Sequence, residues 1–569
     1  MKVEIISGNS AKSIEDVFKN RGVLMADILL TDEGDILDPF LLTNMEKAVE
    51  MLHKHLEKGS TIYIQQDSDA DGMTSMAVCH QYIKRISPET EIIVGIHPGK
   101  QHGIDLEEVS KHEEVSLVIA PDASSNEHEK HEELKGRGID VIVLDHHEAD
   151  RYTDNAVIVN PGLDDYPNKN ISGVGVTQKF ARAYDLKYIG NTDISDSMYD
   201  LVAIGKIADM IEINTREYVQ MVQKGLEKIN NLFLKELYNK QDYSLKGKRT
   251  PVGVSFYIAP MLNAVARAAT QEEKRLVVEA MVALEEYDVP STKRGAKEGD
   301  TETIQGQAVR VMGNIKSRQG RQVDRAIEDI EEKIEKDSLL DNKILIVDTE
   351  GEIPKEFTGL VANKLMAEHQ RPVLIGSHNK GQFGGSGRSY DKSSLPDLRG
   401  YLNGTGLVTF AEGHPSAHGF GIDSELVGAL IERSNKDLVD LDFSPIHRVD
   451  FEWDVESEGI NTDILNEVAS LEPYWAKGLE EPLFYLKNVK VTEREIAGNF
   501  DNRWMKFSVG GVDFLIFRMS EEAIQPFLET KMNMVNLVGR VQESTYKGET
   551  KVQFFISELE PIKSQLFYF

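Results

Sequence analysis

Residues 60–72, STIYIQQDSDADG, decide how the chain is read, and two later stretches repeat their plan: VSLVIAPDASS at 115–125 and IDVIVLDHHEAD at 139–150. Each apolar run ends in an aspartate. The first gives Asp67, Asp69 and Asp71, the second Asp122, and the third Asp145 with His146 and His147 behind it. Short runs rich in β-branched residues and bounded by turn signals predict buried parallel strands. In open α/β sheets, chemistry gathers in the crevice beyond the carboxyl ends of such strands. Acidic and imidazole side chains would converge there with no Lys or Arg close by in the sequence to neutralise them. Carboxylates that crowd together push one another toward protonation. A divalent cation, or a pair of them, removes that repulsion, so the pattern predicts a metal site.

Outward from these stretches, residues 1 to 60 read as helical, because DPFLLTNMEKAVEMLHKHLEKG (38–59) repeats apolar residues at spacings of three and four. From 61 to 270 strands alternate with helices, including AVIVNP (156–161), VTQKFARAYD (176–185) and MYDLVAIGKIADMIEI (198–213). That alternation predicts βαβ units and a parallel sheet. Residues 271–340 carry a charge-rich helical pattern ending in QVDRAIEDIEEKIEKD, expected to be a connecting helix. A second α/β unit is expected over 341–440, from KILIVDTE through FTGLVANKLMAEH and PVLIGS to a glycine-rich loop, GQFGGSGRS (381–389), and a turn-rich EGHPSAHGFG (412–421). Beyond 441, RWMKFSVGGVDFLIFRM around Gly510 and Gly511 reads as a hairpin and 535–559 as a further strand pair. Strands with little helix predict a small barrel such as an OB-fold.

The chain has 569 residues, too many for one core, with 40% hydrophobic and 28% charged residues, the balance of an ordinary globular protein. Its single cysteine, Cys79, excludes an internal disulfide framework or a thiolate zinc site, and a reducing cytoplasm is the expected compartment. The first residues lack the apolar core of a signal peptide, and no uninterrupted apolar run approaches the ~18 residues of a membrane span. A net charge of −31 argues against nonspecific coating of nucleic acid. It leaves room for a strand held in a locally basic channel.

QQDSDADG together with LDHH resembles the DHH phosphoesterase superfamily, and within it the RecJ-type single-stranded-DNA exonucleases. The resemblance covers most of the chain. APDASS, SGVGVTQKFA, LVAIGKIADMIEI, PMLNAVARA (260–268), GGSGRS, EGHPSAHGFG and LEPYWAKGLEEPLF (471–484) follow in that family's order. It implies an α/β fold of two lobes, a DHH domain with a parallel sheet and a DHH-associated domain, joined by a long helix and followed by a C-terminal OB-fold barrel. It implies that Asp69, Asp71, Asp122, His146 and Asp209 ligate two Mn²⁺ or Mg²⁺ ions, with Asp67, Asp145 and His147 completing the site and Arg267 stabilising developing charge. Lys100, Ser386, Arg388 and His414 would bind substrate phosphate, the second half holding the strand while the first cuts it. The implied activity is metal-dependent release of mononucleotides from single-stranded DNA, 5′ to 3′. A monomer is expected, and the acidic balance adds the expectation that a single-strand-binding protein or helicase delivers the substrate. Two other readings stay open: a phosphodiesterase for oligonucleotides or cyclic dinucleotides, and a noncatalytic replisome scaffold.

The sequence departs from the family pattern at Gln65, where a histidine is usual, at Lys100 in place of an arginine, at Ala266 and at Glu412. Plainer readings stand beside the functional ones. An aspartate after a strand commonly caps a helix, and Asp145 could simply orient His146. Asp209 sits in an otherwise apolar helical stretch, where an unpaired carboxylate is unfavourable. GGSGRS read alone is a flexible loop. Trp504, Phe507, Arg503 and Lys506 could meet a single strand or fill a barrel core. NEHEKHEEL (126–134) reads as a solvated helix face, and His53 and His55 point different ways.

Overall fold

The computed structural model describes residues 1–99, 101–390, 393–498, 502–529, 533–546 and 549–562. The chain forms two compact units, one of residues 24–320 with 473–480 and one of residues 1–23, 321–472 and 481–569.

In the first unit, β1 (Thr61–Gln66), β2 (Ile92–Ile96), β3 (Val115–Pro121), β4 (Asp140–Leu144) and β5 (Val157–Val159) form one parallel sheet in the order β2-β1-β3-β4-β5. Every residue of β1 is buried, the pattern of a strand covered on both faces. Register holds the carboxyl ends level: Pro121 of β3 pairs with Leu144 of β4, and Leu144 with Val159 of β5. The core on one face gathers Tyr63, Val118, Leu134, Val141 and Ile158. The helices that matter for function are α1 (Met45–Glu57), α2 (Ala70–Ile86), α3 (His128–Gly136), α4 (Gly173–Tyr184), α5 (Tyr199–Ala208), α6 (Arg216–Glu227), α7 (Ala259–Ala268) and α8 (Gln271–Val282). Asp69 starts α2 by accepting the Gly72 N–H at 2.9 Å, and Ser172 does the same at the start of α4.

The expected connecting helix over 271–340 is shorter than the sequence pattern implied. Residues 271–303 hold α8 and a two-stranded hairpin, Asp288–Pro290 with Thr301–Thr303, and the long helix α9 runs Ile304–Lys336. The break spans LEEYDVPSTKRG (284–295), with Pro290 inside the first hairpin strand, where it also bars a helix from running on into 304–336. The N-terminal segment also differs from an all-helical reading. Lys2–Ile5 is a strand paired in parallel with Ile446–Val449, which is why residues 1–23 belong to the second unit.

That unit carries a mixed sheet of β6 (Leu345–Asp348), β7 (Val373–Asn379), β8 (Gln382–Arg388), β9 (Val408–His414) and β10 (Ala417–Asp423), ordered β9-β10-β8-β7-β6, with α10 (Lys355–His369) between β6 and β7. GGSGR is therefore a strand, not a loop. It hydrogen-bonds β7 on one edge and β10 on the other, and pairing on both sides overrides the low strand propensity of glycine. The turn-rich EGHPSAHGFG is the β9–β10 hairpin. The C-terminal part is a seven-stranded sheet of β11 (Phe451–Asp454), β12 (Phe484–Val491), β13 (Arg494–Ala497), β14 (Trp504–Val509), β15 (Val512–Phe517), β16 (Asn533–Tyr546) and β17 (Glu549–Pro561), ordered β11-β12-β16-β17-β15-β14-β13. Phe507 is core, stacked on Phe514 at 5.2 Å, and Lys506 pairs with Asp513 at 2.8 Å. Among the described residues no helix is long and apolar enough to cross a membrane.

Helix α6 approaches α5 at Gly225, where a Cβ would fall 2.0 Å from the Tyr199 carbonyl oxygen and 2.6 Å from Ala203 Cβ. Gly225→Ala should therefore destabilise the protein by about 1–3 kcal/mol, read as a lower urea midpoint with an unchanged slope.

Candidate metal centre

The order of the first sheet assembles the centre. The chain leaves β1 for β2 on one side and then crosses to β3 on the other, so the crevice at the carboxyl ends of β1 and β3 is a topological switch point. Asp67 follows β1, Asp122 follows β3 and Asp145 follows β4. Asp71 enters from the first turn of α2 and Asp209 from the end of α5. Asp209 thus caps α5 rather than lying inside it. The helix stops because Met210 turns into the left-handed region, at φ 57°.

Each side chain is held by identifiable partners. Asp71, 2% exposed, accepts the Gly173 N–H at 2.7 Å and the Val174 N–H at 3.2 Å from the start of α4. Asp122 adopts a left-handed backbone, φ 67°, while its N–H donates to the Leu144 carbonyl at 2.8 Å. Asp145 accepts the Ser125, His146 and His147 N–H groups at 3.0, 2.8 and 3.1 Å, and its Oδ1 lies 2.8 Å from His147 Nδ1. Asp67 contacts His102 Nδ1 at 2.7 Å and accepts the Gly103 N–H at 3.2 Å. Two glycines admit this crowding. A Cβ at Gly173 would fall 2.2 Å from Asp122 Oδ1, and one at Gly205 2.5 Å from Asp71 Oδ1.

His146 is the hub. Its Nε2 lies 3.3 Å from Asp122 Oδ1, 3.6 Å from Asp209 Oδ2 and 3.9 Å from Asp71 Oδ2. Ligand atoms of Asp71, His146 and Asp209 fall within 4.8 Å of one another, as do those of Asp122, His146 and His147, and those of Asp67, Asp69 and Asp122. Burial, and then neighbouring carboxylates, push Asp71 up to about 7, Asp209 up to about 8 and Asp122 well above the usual range. Burial and the adjacent His147 charge push His146 down to about 4, which leaves it neutral near pH 7. His147 is the reverse: its hydrogen bond to Asp145 holds it protonated, up to about 9. Burial alone would raise Asp145, but the His147 bond and charge, with His146 and Ser125, together outweigh it and keep the carboxyl ionised.

These features fit a divalent cation. Asp122 Oδ1 and His146 Nε2 are buried without a hydrogen-bond partner. Buried acceptors are otherwise almost always satisfied. Carboxylate oxygens with one neutral imidazole form a donor set suited to ions such as Mn²⁺ and Mg²⁺. Asn263 on α7 accepts the Ala70 N–H at 3.2 Å, tying α7 to the first turn of α2. Arg267, one turn further on, is within electrostatic reach of Asp69, while burial lowers its pKa.

Two residues of this unit were not singled out by the sequence reading. His102 meets Asp67, although the segment HPGKQHGI (97–104) had drawn notice only for Lys100. Lys206 on α5 is fully buried without a hydrogen-bond partner, its Nζ 5.2 Å from the Tyr218 ring, and burial brings its pKa down to about 8. The signal that marked Asp209, a charge inside an otherwise apolar helical stretch, could have marked this lysine as well. Gln65 is buried at the end of β1, where its Oε1 accepts the Asp105 N–H at 3.0 Å. His131 of NEHEKHEEL is buried on α3 rather than solvated. Lys100 lies outside the described residues.

In the second unit Ser386 Oγ lies 2.8 Å from Thr358 Oγ1 in the first turn of α10. Arg388 packs so closely on Gly359 that a Cβ there would lie 2.5 Å from its Nη2. His414 is exposed at the end of β9, in one row with Ala417 and Arg388 across three strands. The buried histidine beside Gly387 is His418, 3% exposed.

Residues 61–206 match the DHH family, N-terminal domain, and residues 451–558 the RecJ OB domain. The chain is 35% identical over 562 residues to a protein of Bacillus subtilis named SPbeta prophage-derived single-strand DNA-specific exonuclease YorK, covering 96% of each. It is 27% identical over 565 residues to the single-stranded-DNA-specific exonuclease RecJ of Bacillus subtilis, covering 95% of this chain and 66% of that protein. The fold is similar to that of Thermus thermophilus RecJ crystallised with Mn²⁺, with a TM-score of 0.72 at 20% identity over 99% of this chain and 79% of the other.

Without metal, the raised carboxyls of Asp71 and Asp209 bind protons more tightly folded than unfolded. Their stabilising contribution is complete below the ordinary aspartate range, near 3.8, and is lost as pH rises through about 7 and 8. In EDTA, Asp209→Asn should therefore be more stable than the wild type at about pH 8.5 and close to it at about pH 5, as read by urea denaturation. Mn²⁺ should raise the wild-type midpoint at high pH more than that of the variant.

Proposed function

We propose, for a chain that belongs to the family of single-strand-DNA-specific exonucleases that includes YorK and RecJ, that it hydrolyses single-stranded DNA, working 5′ to 3′ and releasing mononucleotides. The observation that carries this reading is the convergence of Asp71, Asp122 and Asp209 on the neutral Nε2 of His146 at the sheet's switch point. Asp69, Asp71, Asp122, His146 and Asp209 would hold two divalent cations; Mn²⁺ and Mg²⁺ are the candidates, the ions with which the similarly folded Thermus thermophilus RecJ was crystallised. Bound there, such ions supply positive charge to a phosphate diester and lower the pKa of a water toward about 7.

The chain's own groups do the rest. Asp145 keeps the proton on His147 Nδ1, so the more exposed side of the imidazolium presents a second N–H to a phosphate oxygen or a departing one. Arg267 adds fixed positive charge beside Asp69, suited to charge that grows during reaction. Asp67 would complete the oxygen cluster with Asp69 and Asp122. In the second unit, Ser386 offers a hydroxyl and Arg388 a guanidinium beside the start of α10, where backbone N–H groups favour anions, and these support a phosphate-binding role. His414 would extend that grip, and Lys100 is assigned a phosphate-binding role on sequence alone. The OB sheet supports single-strand binding. The acidic balance favours delivery of the strand to a cytoplasmic monomer by a single-strand-binding protein or helicase.

Incubation of 5′- and 3′-labelled single strands and duplexes with Mn²⁺ tests the reading. The expected result is mononucleotides from the 5′ end of single strands and little product from duplex. Asp122→Ala or His146→Ala should lower the rate by more than about 100-fold, exceeding the loss typical of a residue that only supports a ligand. Equal degradation by variants and wild type would remove the site assignment.

A further inference from the structure

We propose that His102 is a positioning residue of the metal centre, its Nδ1–H setting the orientation of the Asp67 carboxylate. The inference rests on the reading of the centre given above. Asp67 is 1% exposed and shares an oxygen cluster with Asp69 and Asp122. Both of its oxygens are gripped by consecutive residues of one loop, Oδ2 by His102 Nδ1 at 2.7 Å and Oδ1 by the Gly103 N–H at 3.2 Å. A carboxylate turned toward cations has no proton to give, so Nδ1 carries the hydrogen and the tautomer is fixed. Orientation of an acidic group by an outer hydrogen-bond donor is how metal centres hold their ligands in place.

The loop that delivers His102 is braced independently of that bond. Gln65 Oε1 accepts the Asp105 N–H at 3.0 Å, and Ser68 Oγ donates to the Gly99 carbonyl at 3.2 Å. His97 Nε2 lies 2.9 Å from the Gly103 carbonyl oxygen. From α8, the buried Lys274 ammonium donates to the His97 carbonyl at 2.8 Å, and Gln271 to the Ile96 carbonyl at 3.1 Å. The His102 side chain itself is 56% exposed, so its truncation opens no cavity. A rigid frame carrying one projecting imidazole onto a buried carboxylate is the arrangement expected of a group that orients rather than supports the fold.

The test titrates Mn²⁺ into the metal-free full-length protein by calorimetry, for the wild type, His102→Ala and His102→Asn. An asparagine amide places an N–H close to the position of imidazole Nδ1. Alanine should weaken Mn²⁺ binding by about 10–100-fold, and asparagine should recover most of that loss. Metal-free melting temperatures of all three proteins should agree within about 0.5 °C, which in a chain of this size is well under about 1 kcal/mol and too small for a lost structural contact. With saturating Mn²⁺, alanine should lower kcat on single strands and leave KM near the wild-type value. Alanine binding Mn²⁺ as tightly as the wild type, asparagine as weak as alanine, or a metal-free melting temperature that falls with affinity would each overturn the proposal. A wild type that binds Mn²⁺ but cleaves no strand would sink the nuclease reading and leave the His102 titration decisive. A wild type that binds none would overturn both.

Discussion

The constraint on which the rest depends is the burial of several aspartates around one point. Asp71 is almost completely enclosed, Asp69 presses on it with the same charge, and Asp71 in turn presses on Asp122 and Asp209. Part of the repulsion is offset by protein alone, because two N–H groups at the positive end of α4 point at Asp71. The remainder is visible in the raised proton affinities of Asp71, Asp122 and Asp209. A cluster that would rather hold protons is one that gains most from exchanging them for a cation. The local backbone is built to the same end. Asp122 is held in a left-handed conformation, and Gly173 and Gly205 bring two helices within backbone distance of the acids. Strain kept at such a position is typical of functional sites.

The adjacent imidazoles show how environment divides roles between identical side chains. His146 is enclosed, faces carboxylate oxygens through Nε2 and stays neutral. His147, one residue on, is largely exposed and bonded to the ionised Asp145, so it stays charged. One is suited to donate a lone pair and the other a proton. Asp145 serves both, since the same carboxylate also fixes the backbone N–H groups of the two histidines. The pairing of His102 with Asp67 repeats this imidazole–carboxylate arrangement at the end of β1, with β3 between the two.

Much of this was legible from residues alone. The three apolar runs ending at Asp67, Asp122 and Asp145 predict strands and their carboxyl ends, and β1, β3 and β4 are those strands. The Gly510–Gly511 hairpin and the 535–559 strand pair likewise appear as β14–β15 and β16–β17. Misreadings fell where local pattern and long-range pairing disagree. GGSGR has no side-chain periodicity, yet it is a central strand because β7 and β10 satisfy both of its edges. Residues 2–5 are too few to signal a strand, and they become one only against 446–449.

The sequence by itself determined which acids and imidazoles stand at strand ends, because alternation, apolar runs and turn residues are local and each strand carries its aspartate with it. Only the tertiary structure decided the order β2-β1-β3-β4-β5, the approach of Asp209 from the end of α5, the contact of His102 with Asp67 and the burial of Lys206. Those outcomes depend on which distant segments pack together. The free energy of that packing belongs to pairs of surfaces and leaves no periodic trace in either segment alone.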